Sequence, residues 1–289
     1  MRAASDPELK IYGIFGYPLG HTVSPAIQNC AFEYYKLKSI YFAFEHPPTR
    51  FRFLMQNLKS LLLDGFNVTV PFKEIAIPYL DGLSPEAKTI GAVNTVKKEK
   101  DRWIGYNTDI YGFLAGLQKV HFKSKGKRAL ILGAGGSARA VAYALAKGGI
   151  RKVFIANRTE TRARKLANKF GRAFPKVEWV VLGLNEKIVD SALSQVEIVV
   201  NATKAGLKKG DPSLISRKSF PKRKILVYDL IYKPRRTKLL RVASELGHKT
   251  INGETMLLHQ GAKAFEIWTG KHAPVHKMKK ALQDALRSH

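Results

Sequence analysis

Residues 128–147 read RALILGAGGSARAVAYALAK, an apolar strand pattern that ends in glycines and leads directly into a helical pattern. This order places a G-x-G-x-x-A motif, Gly133 to Ala138, in the strand–turn–helix context that a dinucleotide-binding loop requires. We expect Gly133 to make the tight turn, Gly135 to let the backbone approach a pyrophosphate, and Ala138 to allow close helix packing. The remaining residues of the loop are Ala134, Gly136 and Ser137. The alternative is a glycine-rich turn without a ligand.

The sequence around this loop continues as alternating strands and helices. A helical segment from about Ile110 precedes it, and five apolar strand candidates follow one another with helix-length segments between them. These candidates are RALILGAG, RKVFIAN, VEWVVLG, EIVVNAT and ILVYDLIY. Continuous apolar strands of this kind are typical of a parallel sheet covered by helices on both faces. Residues 110–252 are therefore predicted to form a doubly wound Rossmann domain of the α/β class, which Gly253 closes.

The end of the second of these strands bears on the choice of nucleotide. Proteins that bind NAD usually place an acidic residue there for the ribose hydroxyls, whereas this chain has Asn157, Arg158 and Thr159. Arg158 offers a planar fork that suits a phosphate, and Arg162, one turn further on, adds a second charge. The predicted cofactor is therefore NADP. In the alternative interpretation, Thr159 is only a helix cap and both arginines are surface residues.

The residues before the Rossmann segment show a second α/β pattern, and a chain of 289 residues is long enough for two domains. Its strand candidates are KIYGIFG, SIYFAFEH, GFNVTV, AVNTVKK and RWIGYNT. The last forty residues are helical, with an apolar stripe from Val275 to Leu286 that needs a surface to cover. We expect this segment to return to the first domain. The predicted organisation is a substrate-binding and catalytic domain of residues 1–109 and 253–289, interrupted by the NADP-binding domain of residues 110–252.

Charge and composition limit the class of partner. Fifty basic residues against 22 acidic ones give a formal net charge of +28, so nucleic-acid binding has to be considered. The basic clusters are scattered and lack interleaved aromatic residues, which favours attraction of small anions instead. Cys30 is the only cysteine, which excludes an internal disulfide. No run approaches the ~20 apolar residues that span a bilayer. We expect a cytoplasmic protein without a nucleic-acid or membrane partner, and a homodimer is left open.

Two segments of the first domain carry polar residues that a core does not need. In GYPLGHTVSP, Ser24 before Pro25 suits a helix cap, whereas Thr22 has no such structural use. Two hydroxyls beside a helix N-terminus could bind a carboxylate. In NVTVPFK, Pro71 is predicted to begin a short helix with Lys73 in its first turn, where the helix dipole favours the neutral amine. Lys73 is either a functional amine or an ordinary solvated lysine.

A third segment of this kind ends the first domain. Asn94 and Thr95 follow an apolar pair in GAVNT, and in GYNTD a strand ends where a helix begins. Thr108 and Asp109 stand at that junction, where either could be a helix cap or a functional group.

Taken together, these stretches resemble the shikimate dehydrogenase family. The matching stretches are GYPLGHTVSP, NVTVPFK, GAVNT, GYNTD, GAGGSARA, NRT, NAT at 201–203, YDLIY at 228–232 and NGETMLLHQG at 252–261. They span nearly the whole chain in the family's order. The resemblance implies reversible reduction of 3-dehydroshikimate to shikimate with NADPH as the hydride donor. That reaction belongs to the shikimate pathway, which leads to chorismate and the aromatic amino acids.

The resemblance also implies roles for particular residues. Lys73 and Asp109 match the catalytic pair, with Lys73 as proton donor to the forming alkoxide and Asp109 holding and polarising it. Thr22 and Ser24 match the hydroxyls that bind the substrate carboxylate. The residues that match groups around the ring hydroxyls are Thr69, Asn94, Tyr232 and Gln260. Those that match positions along the cofactor are Ala202, Thr203, Gly253 and Met256.

Some alternatives stay open. Thr22 stands where many members of the family have serine, and its methyl group narrows the pocket, so activity on quinate is open. The rival hypotheses are a quinate/shikimate dehydrogenase that accepts NAD, a non-catalytic sensor of ring acids and a nucleic-acid binder. No metal is predicted, because Pro274 interrupts His272 and His276 and no third ligand is near. His21 is expected to be structural rather than catalytic.

Overall fold

The computed structural model describes residues 9–20, 22–208 and 210–288. His21, which we expected to be structural, lies outside the described residues. The chain divides into two compact units, the first formed by residues 1–108 and 258–289 and the second by residues 109–257. In the described part of the chain, no helix is both long and apolar enough to cross a membrane.

The first unit is built on a six-stranded mixed sheet. Its strands, numbered β1 to β6 in chain order, are Lys10–Gly16, Ser39–Glu45, Gly65–Val68, Gly82–Leu83, Thr95–Glu99 and Arg102–Tyr106. The order across the sheet is β2-β1-β3-β5-β6-β4, and only the pairs β3–β5 and β5–β6 are antiparallel. Because β1 and β3 run parallel, their carboxyl ends lie at the same edge, and the segments with Thr22 and Lys73 follow these ends.

Aromatic side chains form the core beside this edge of the first unit. Phe51 and Phe72 stack with 3.9 Å between ring centroids, and Phe15 meets Phe66 edge-on at 5.4 Å. All four are buried, and burial of each such side chain stabilises the fold by about 1.5–3 kcal/mol. Since Phe72 is fixed in this core, the backbone of the adjacent Lys73 is fixed as well.

Helices cover the first sheet. The helices of the first unit are α1 (Ser24–Tyr34), α2 (Pro48–Gln56), α3 (Pro85–Ile90) and, from the other end of the chain, residues 258–269 of α9 (Glu254–Thr269) and α10 (Val275–Arg287). The expected return of the C-terminal helix is confirmed, since α10 packs against α1. Met278 and Leu282, from the predicted apolar stripe, are buried.

The second unit has a six-stranded, fully parallel sheet. Its strands, β7 to β12, are Arg128–Leu132, Lys152–Asn157, Glu178–Gly183, Ile198–Asn201, Leu226–Asp229 and Lys249–Ile251. The order β12-β11-β10-β7-β8-β9 reverses direction at β7, as in a doubly wound Rossmann sheet. Its helices are α4 (Asp109–Lys119), α5 (Gly136–Lys147), α6 (Glu160–Ala173), α7 (Glu186–Leu193), α8 (Lys238–Glu245) and the start of α9 (Glu254–Thr269). The predicted fold class is confirmed.

Two predictions of local structure are wrong, and two short strands were not predicted. Residues 70–76 form turns, followed by a 3₁₀ helix at Ile77–Tyr79, rather than a helix from Pro71. The carbonyl of Lys73 accepts the N–H of Val93 at 2.8 Å, a long-range bond that ties these turns to the segment before β5. Ser24 is the first helical residue rather than the cap, a position that Val23 occupies without a side-chain hydrogen bond. Strands β4 and β12 were not expected, because two or three residues show no periodicity.

Candidate functional site

The glycine loop connects β7 to α5. Gly133 has a φ of +110°, a value that favours glycine, and its N–H donates to the carbonyl of Ala156 at 2.8 Å. A Cβ at Gly133 would lie 3.1 Å from the carbonyl oxygen of Ala202. Ala134 and Ala138 are buried, and their small side chains let α5 approach the sheet closely. Gly133 and Ala138 are thus explained by the packing of the second unit alone.

The packing of the second unit does not explain why position 135 is a glycine. Its φ of −86° suits any residue, and an added Cβ would meet no atom of the chain within 4 Å. The packing of the protein therefore does not require glycine here, whereas a ligand lying against the backbone would. Gly136 and Ser137 begin the twelve-residue helix α5, whose N-terminal amide groups and dipole favour an anion. The loop fits the pyrophosphate of a dinucleotide.

The turn between β8 and α6 presents two arginines. The side-chain amide of Asn157 donates to the carbonyl of Thr159 at 2.8 Å and closes the turn. Thr159 occupies the N-cap position, but its side chain makes no capping hydrogen bond. Arg158 and Arg162 are exposed. Capping alone therefore does not account for Thr159, and the exposed arginines are accessible to a phosphate group.

A buried network ties the carboxyl ends of β10 and β11 together. Asp229 accepts hydrogen bonds from Asn201 Nδ2 at 3.0 Å and from Thr237 Oγ1 at 2.7 Å. Asn201 Oδ1 in turn accepts from the N–H of Thr203 at 3.1 Å and from its hydroxyl at 2.7 Å. Burial raises the pKa of Asp229, although its hydrogen bonds oppose that shift. The network fixes the loop that carries Ala202 and Thr203.

The segment after β11 holds the remaining predicted residues of the second unit. The N–H of Gly253 donates to the carbonyl of Ile231 at 3.0 Å, and a Cβ at Gly253 would collide with the carbonyl of Leu230. Only glycine therefore fits at this position. Met256 is buried. Tyr232 is half-buried, and burial raises the pKa of its phenol above the ordinary value.

Two hydroxyl residues stand at the start of α1 in the first unit. Thr22 Oγ1 accepts a hydrogen bond from the N–H of Ser24 at 3.4 Å. Ser24 is only 7% exposed, and the helix has no side-chain cap. The capping interpretation of Ser24 is therefore wrong. Two hydroxyls beside the N-terminus of an eleven-residue helix form a suitable partner for a carboxylate.

Lys73 lies in the turns that follow β3. Its side chain is largely buried, with 9% of the residue exposed. No helix forms around it, so the helix-dipole argument for its neutral form no longer applies. Thr69 precedes these turns, and its N–H donates to the carbonyl of Phe15 at 2.9 Å, which holds it beside β1. The solvated-lysine interpretation does not fit this degree of burial.

Asn94 is the centre of a buried polar cluster in the first unit. It is 2% exposed, and its Nδ2 donates to Thr108 Oγ1 at 2.9 Å and to Gln260 Oε1 at 3.2 Å. The N–H of Thr108 donates to Asn94 Oδ1 at 2.7 Å. The fold thus brings together Asn94 and Gln260, which lie 166 positions apart in the sequence.

Asp109 is the first residue of α4 and is 4% exposed. It belongs to the second unit, whereas Lys73 belongs to the first. Asn107, two residues earlier, donates its side-chain amide to the carbonyl of Ala92 at 2.9 Å. Side-chain bonds of Asn107 and Thr108 therefore fix the chain that leads to this carboxylate.

Sequence reasoning missed Tyr41, which supports the cluster around Asn94 through Asn67 and Thr95. Tyr41 donates its hydroxyl to Asn67 Oδ1 at 2.6 Å, and Asn67 Nδ2 donates to Thr95 Oγ1 at 2.9 Å. Tyr41 sits in an apolar strand pattern and its partner lies 26 positions away, so no local signal marks it. Among the described residues, no group of His, Cys, Asp or Glu side chains could hold a metal ion.

The chain belongs to the class of dehydrogenases that bind a nicotinamide dinucleotide. Three features define this class here: the parallel sheet whose strand order reverses at β7, the open position at Gly135 and the exposed arginines after β8. Three family models match it: the shikimate dehydrogenase substrate binding domain over residues 14–96, shikimate / quinate 5-dehydrogenase over residues 116–236, and the shikimate 5′-dehydrogenase C-terminal domain over residues 253–283. The chain belongs to the shikimate dehydrogenase family.

Individual relatives agree with this assignment. Shikimate dehydrogenase (NADP(+)) of Aquifex aeolicus is 43% identical over 277 residues, which cover 96% of this chain and 97% of that protein. The structure of the Thermus thermophilus shikimate 5-dehydrogenase in complex with NADP(H) and shikimate has a TM-score of 0.83 at 37% identity, covering 96% and 99%. Quinate dehydrogenase of Corynebacterium glutamicum in complex with NAD has a TM-score of 0.85 at 28% identity, covering 95% and 99%.

Proposed function

We propose that this chain is an NADP-dependent oxidoreductase that catalyses the reversible reduction of 3-dehydroshikimate to shikimate in the shikimate pathway. The observation that carries the proposal is the burial of Lys73, which lies in the turns after β3 of the first unit. The chain matches the family's substrate-binding domain over these residues. Lysine side chains are mostly exposed in folded proteins, so the burial of this lysine indicates a specific role for its amine.

The residues divide the chemistry between them. The cofactor supplies the hydride that reduces the ketone carbon. Lys73 Nζ donates the proton that the carbonyl oxygen needs as it becomes a hydroxyl, so that one hydride and one proton together complete the reduction. Asp109 holds and polarises the oxygen by accepting a hydrogen bond from it once it carries the proton from Lys73. In the oxidation direction, Lys73 accepts the hydroxyl proton instead.

Substrate binding uses the hydroxyl and amide side chains described above. Thr22 and Ser24 donate their hydroxyls to the substrate carboxylate, beside the positive end of the α1 dipole. The groups assigned to the ring hydroxyls are Thr69, Asn94, Tyr232 and Gln260. A ring acid with three hydroxyls matches this mixture of donors and acceptors.

The cofactor is assigned to the second unit. The pyrophosphate would lie on the loop from Gly133 to Ala138, the 2′-phosphate on Arg158 and Arg162 beside Asn157 and Thr159, and the nicotinamide near Ala202, Thr203, Gly253 and Met256. We also propose the division into a substrate domain of residues 1–109 and 253–289 and an NADP domain of residues 110–252, with Gly253 and Met256 just beyond the boundary between them. We further propose that the protein is cytoplasmic. Sedimentation measurements would show whether it forms a homodimer.

The proposal is tested by following absorbance at the nicotinamide band with shikimate and NADP, beside NAD and quinate. We expect turnover of shikimate with NADP, and the absence of that turnover would refute the proposal. Quinate turnover with NAD at a comparable kcat/KM would favour the broader quinate/shikimate enzyme. Binding of shikimate without turnover would indicate a sensor, and salt-sensitive binding to DNA without turnover would indicate a nucleic-acid binder.

A further inference from the structure

A chain of buried hydrogen bonds crosses the first unit from its edge strand to the cluster around Asn94. Tyr41 is on β2, at the edge of the sheet, and Asn67 is on β3. The Tyr41 hydroxyl donates to Asn67 Oδ1 at 2.6 Å, and the exposed fractions are 1% and 5%. A tyrosine hydroxyl placed this deep in an apolar sheet needs a hydrogen-bond partner, and Asn67 provides it.

This first bond fixes the orientation of the Asn67 amide. Because Oδ1 accepts from Tyr41, the NH₂ group must face the other way. There it donates to the carbonyl of Asn94 at 2.9 Å and to Thr95 Oγ1 at 2.9 Å. Asn67 therefore touches both the backbone of Asn94 and the residue next to it.

Thr95 connects the Asn67 amide to the side chain of Asn94. Its Oγ1 accepts from Asn67, so its own hydrogen is free to point to Asn94 Oδ1 at 3.2 Å or to Thr108 Oγ1 at 3.2 Å. Asn94 Oδ1 also accepts the N–H of Thr108, which leaves Nδ2 directed toward Gln260 and the hydroxyl of Thr108. Each donor in this series determines which way the next amide or hydroxyl turns.

The backbone of Tyr41 is itself held by α1. Its N–H donates to Asn29 Oδ1 at 2.8 Å, and Asn29 Nδ2 donates back to its carbonyl at 3.1 Å. Helix α1 begins with Ser24, so one element both presents a proposed carboxylate ligand and anchors the tyrosine.

We propose that Tyr41 is a positioning residue for the substrate site, acting through Asn67 and Thr95 to hold Asn94 and Gln260 in the orientation that receives the ring. The inference rests on the proposed function and adds a residue to that site. Tyr41 takes no part in proton transfer, because it touches neither of the groups assigned to the reacting oxygen.

The test compares Tyr41→Phe with Tyr12→Phe. Both tyrosines are buried in neighbouring strands, but the structure gives the Tyr12 hydroxyl no bond to the described residues of the network. We expect Tyr41→Phe to raise the KM for shikimate about tenfold, since loss of positioning weakens a prearranged site. The KM for NADP, the kcat and the pH dependence of kcat should stay within about twofold, and Tyr12→Phe should match the wild type.

A double variant checks that the effect passes through Asn67. If Asn67→Ala raises the KM for shikimate and Tyr41→Phe adds nothing to it, the two residues act in series. Measurements are made well below the unfolding temperature of each variant, so that lost stability does not enter the kinetics. An unchanged KM for shikimate in Tyr41→Phe, or equal rises for shikimate and NADP, would overturn the inference. Absence of shikimate turnover in the wild type would instead overturn the proposed function, and the positioning role with it.

Discussion

The amine of Lys73 is the group on which the proposed proton transfer depends. Lys73→Ala should lower kcat by about 10²–10⁴-fold, because no other donor replaces the ammonium. Binding of NADP should be unchanged, since the cofactor loop belongs to the second unit. Turnover is measured by nicotinamide absorbance and NADP binding by fluorescence.

Lys59→Ala provides a control for Lys73→Ala, because Lys59 is an exposed lysine of the same unit. It should leave kcat within about twofold of the wild type. Wild-type turnover in Lys73→Ala would exclude Lys73 as the proton donor.

At the residue scale, Arg158 is the group that we propose selects NADP over NAD. Loss of one charge-assisted hydrogen bond to the 2′-phosphate should raise the KM for NADP by about 10- to 100-fold in Arg158→Ala. The KM for NAD should change little, because NAD lacks that phosphate. Arg164→Ala is the matched control, since Arg164 is an exposed arginine on α6, the helix that follows this turn, and pairs with Glu160 at 3.0 Å. Equal losses with NADP and NAD would contradict the assignment.

At the scale of the residue, the sequence predicts which side chains belong to the candidate site better than it predicts the hydrogen bonds that hold them. The motifs around Lys73 and Asn94 identified side chains that the structure buries. The supporting bonds could not be predicted, because Tyr41 and Asn67 are brought together by sheet pairing across β1, which no local pattern encodes.

At the scale of an element, the loop between β7 and α5 contains two glycines with different physical reasons. Gly133→Ala should lower the unfolding temperature by at least about 2–4 °C, the shift expected for 1 kcal/mol of strain in a unit of this size, because the backbone conformation of Gly133 and the carbonyl of Ala202 both oppose a side chain. Gly135→Ala should leave the unfolding temperature unchanged, because its Cβ meets no atom of the chain.

The two variants should also differ in NADP binding. Gly135→Ala is expected to raise the Kd for NADP at least about tenfold, since the methyl group occupies space that the pyrophosphate needs. Thermal unfolding by circular dichroism and NADP titration measure the two effects separately. Wild-type affinity in Gly135→Ala would show that the loop does not hold the pyrophosphate.

Elements with a clear period were predicted closely, and short or strained ones were not. The strand candidate KIYGIFG coincides with β1, and the helix expected from about Ile110 begins one residue earlier, at Asp109. The helix expected at Pro71 fails because the carbonyl of Lys73 pairs with Val93, a residue 20 positions later whose approach depends on the tertiary fold. Local propensity is weaker than such a contact.

At the scale of the whole molecule, His248 makes stability depend on pH. It is buried against Phe220, its Nδ1 accepts the N–H of Ile225, and burial lowers its pKa from the ordinary 6.5, with Lys224 adding to the shift. In the unfolded chain His248 is therefore protonated below about pH 6.5, whereas in the folded chain it stays neutral until the pH is lower. The stability that neutral His248 contributes is present above the unfolded-state pKa and is lost as the pH falls toward the folded-state pKa.

Urea unfolding of the wild type and of His248→Gln checks this expectation. The free energy of unfolding of the wild type should fall more steeply than that of the variant as the pH is lowered from 7.5 to 5.5. His272→Gln, at an exposed histidine, should follow the wild type. Parallel curves for the wild type and His248→Gln would rule out the contribution of His248.

The discontinuity of the first unit has a consequence for biosynthesis. When the ribosome has released residues 109–257, every strand of the parallel sheet is present, whereas α1 still lacks α10, whose Met278 and Leu282 are buried in the finished protein. The second unit can therefore fold before α10 has been synthesised, whereas the first unit cannot be completed until then. Until α10 is present, the apolar face of α1 that it covers is exposed and can bind chaperones or be cleaved by proteases. A chain truncated before α10 should therefore be degraded faster than the full chain.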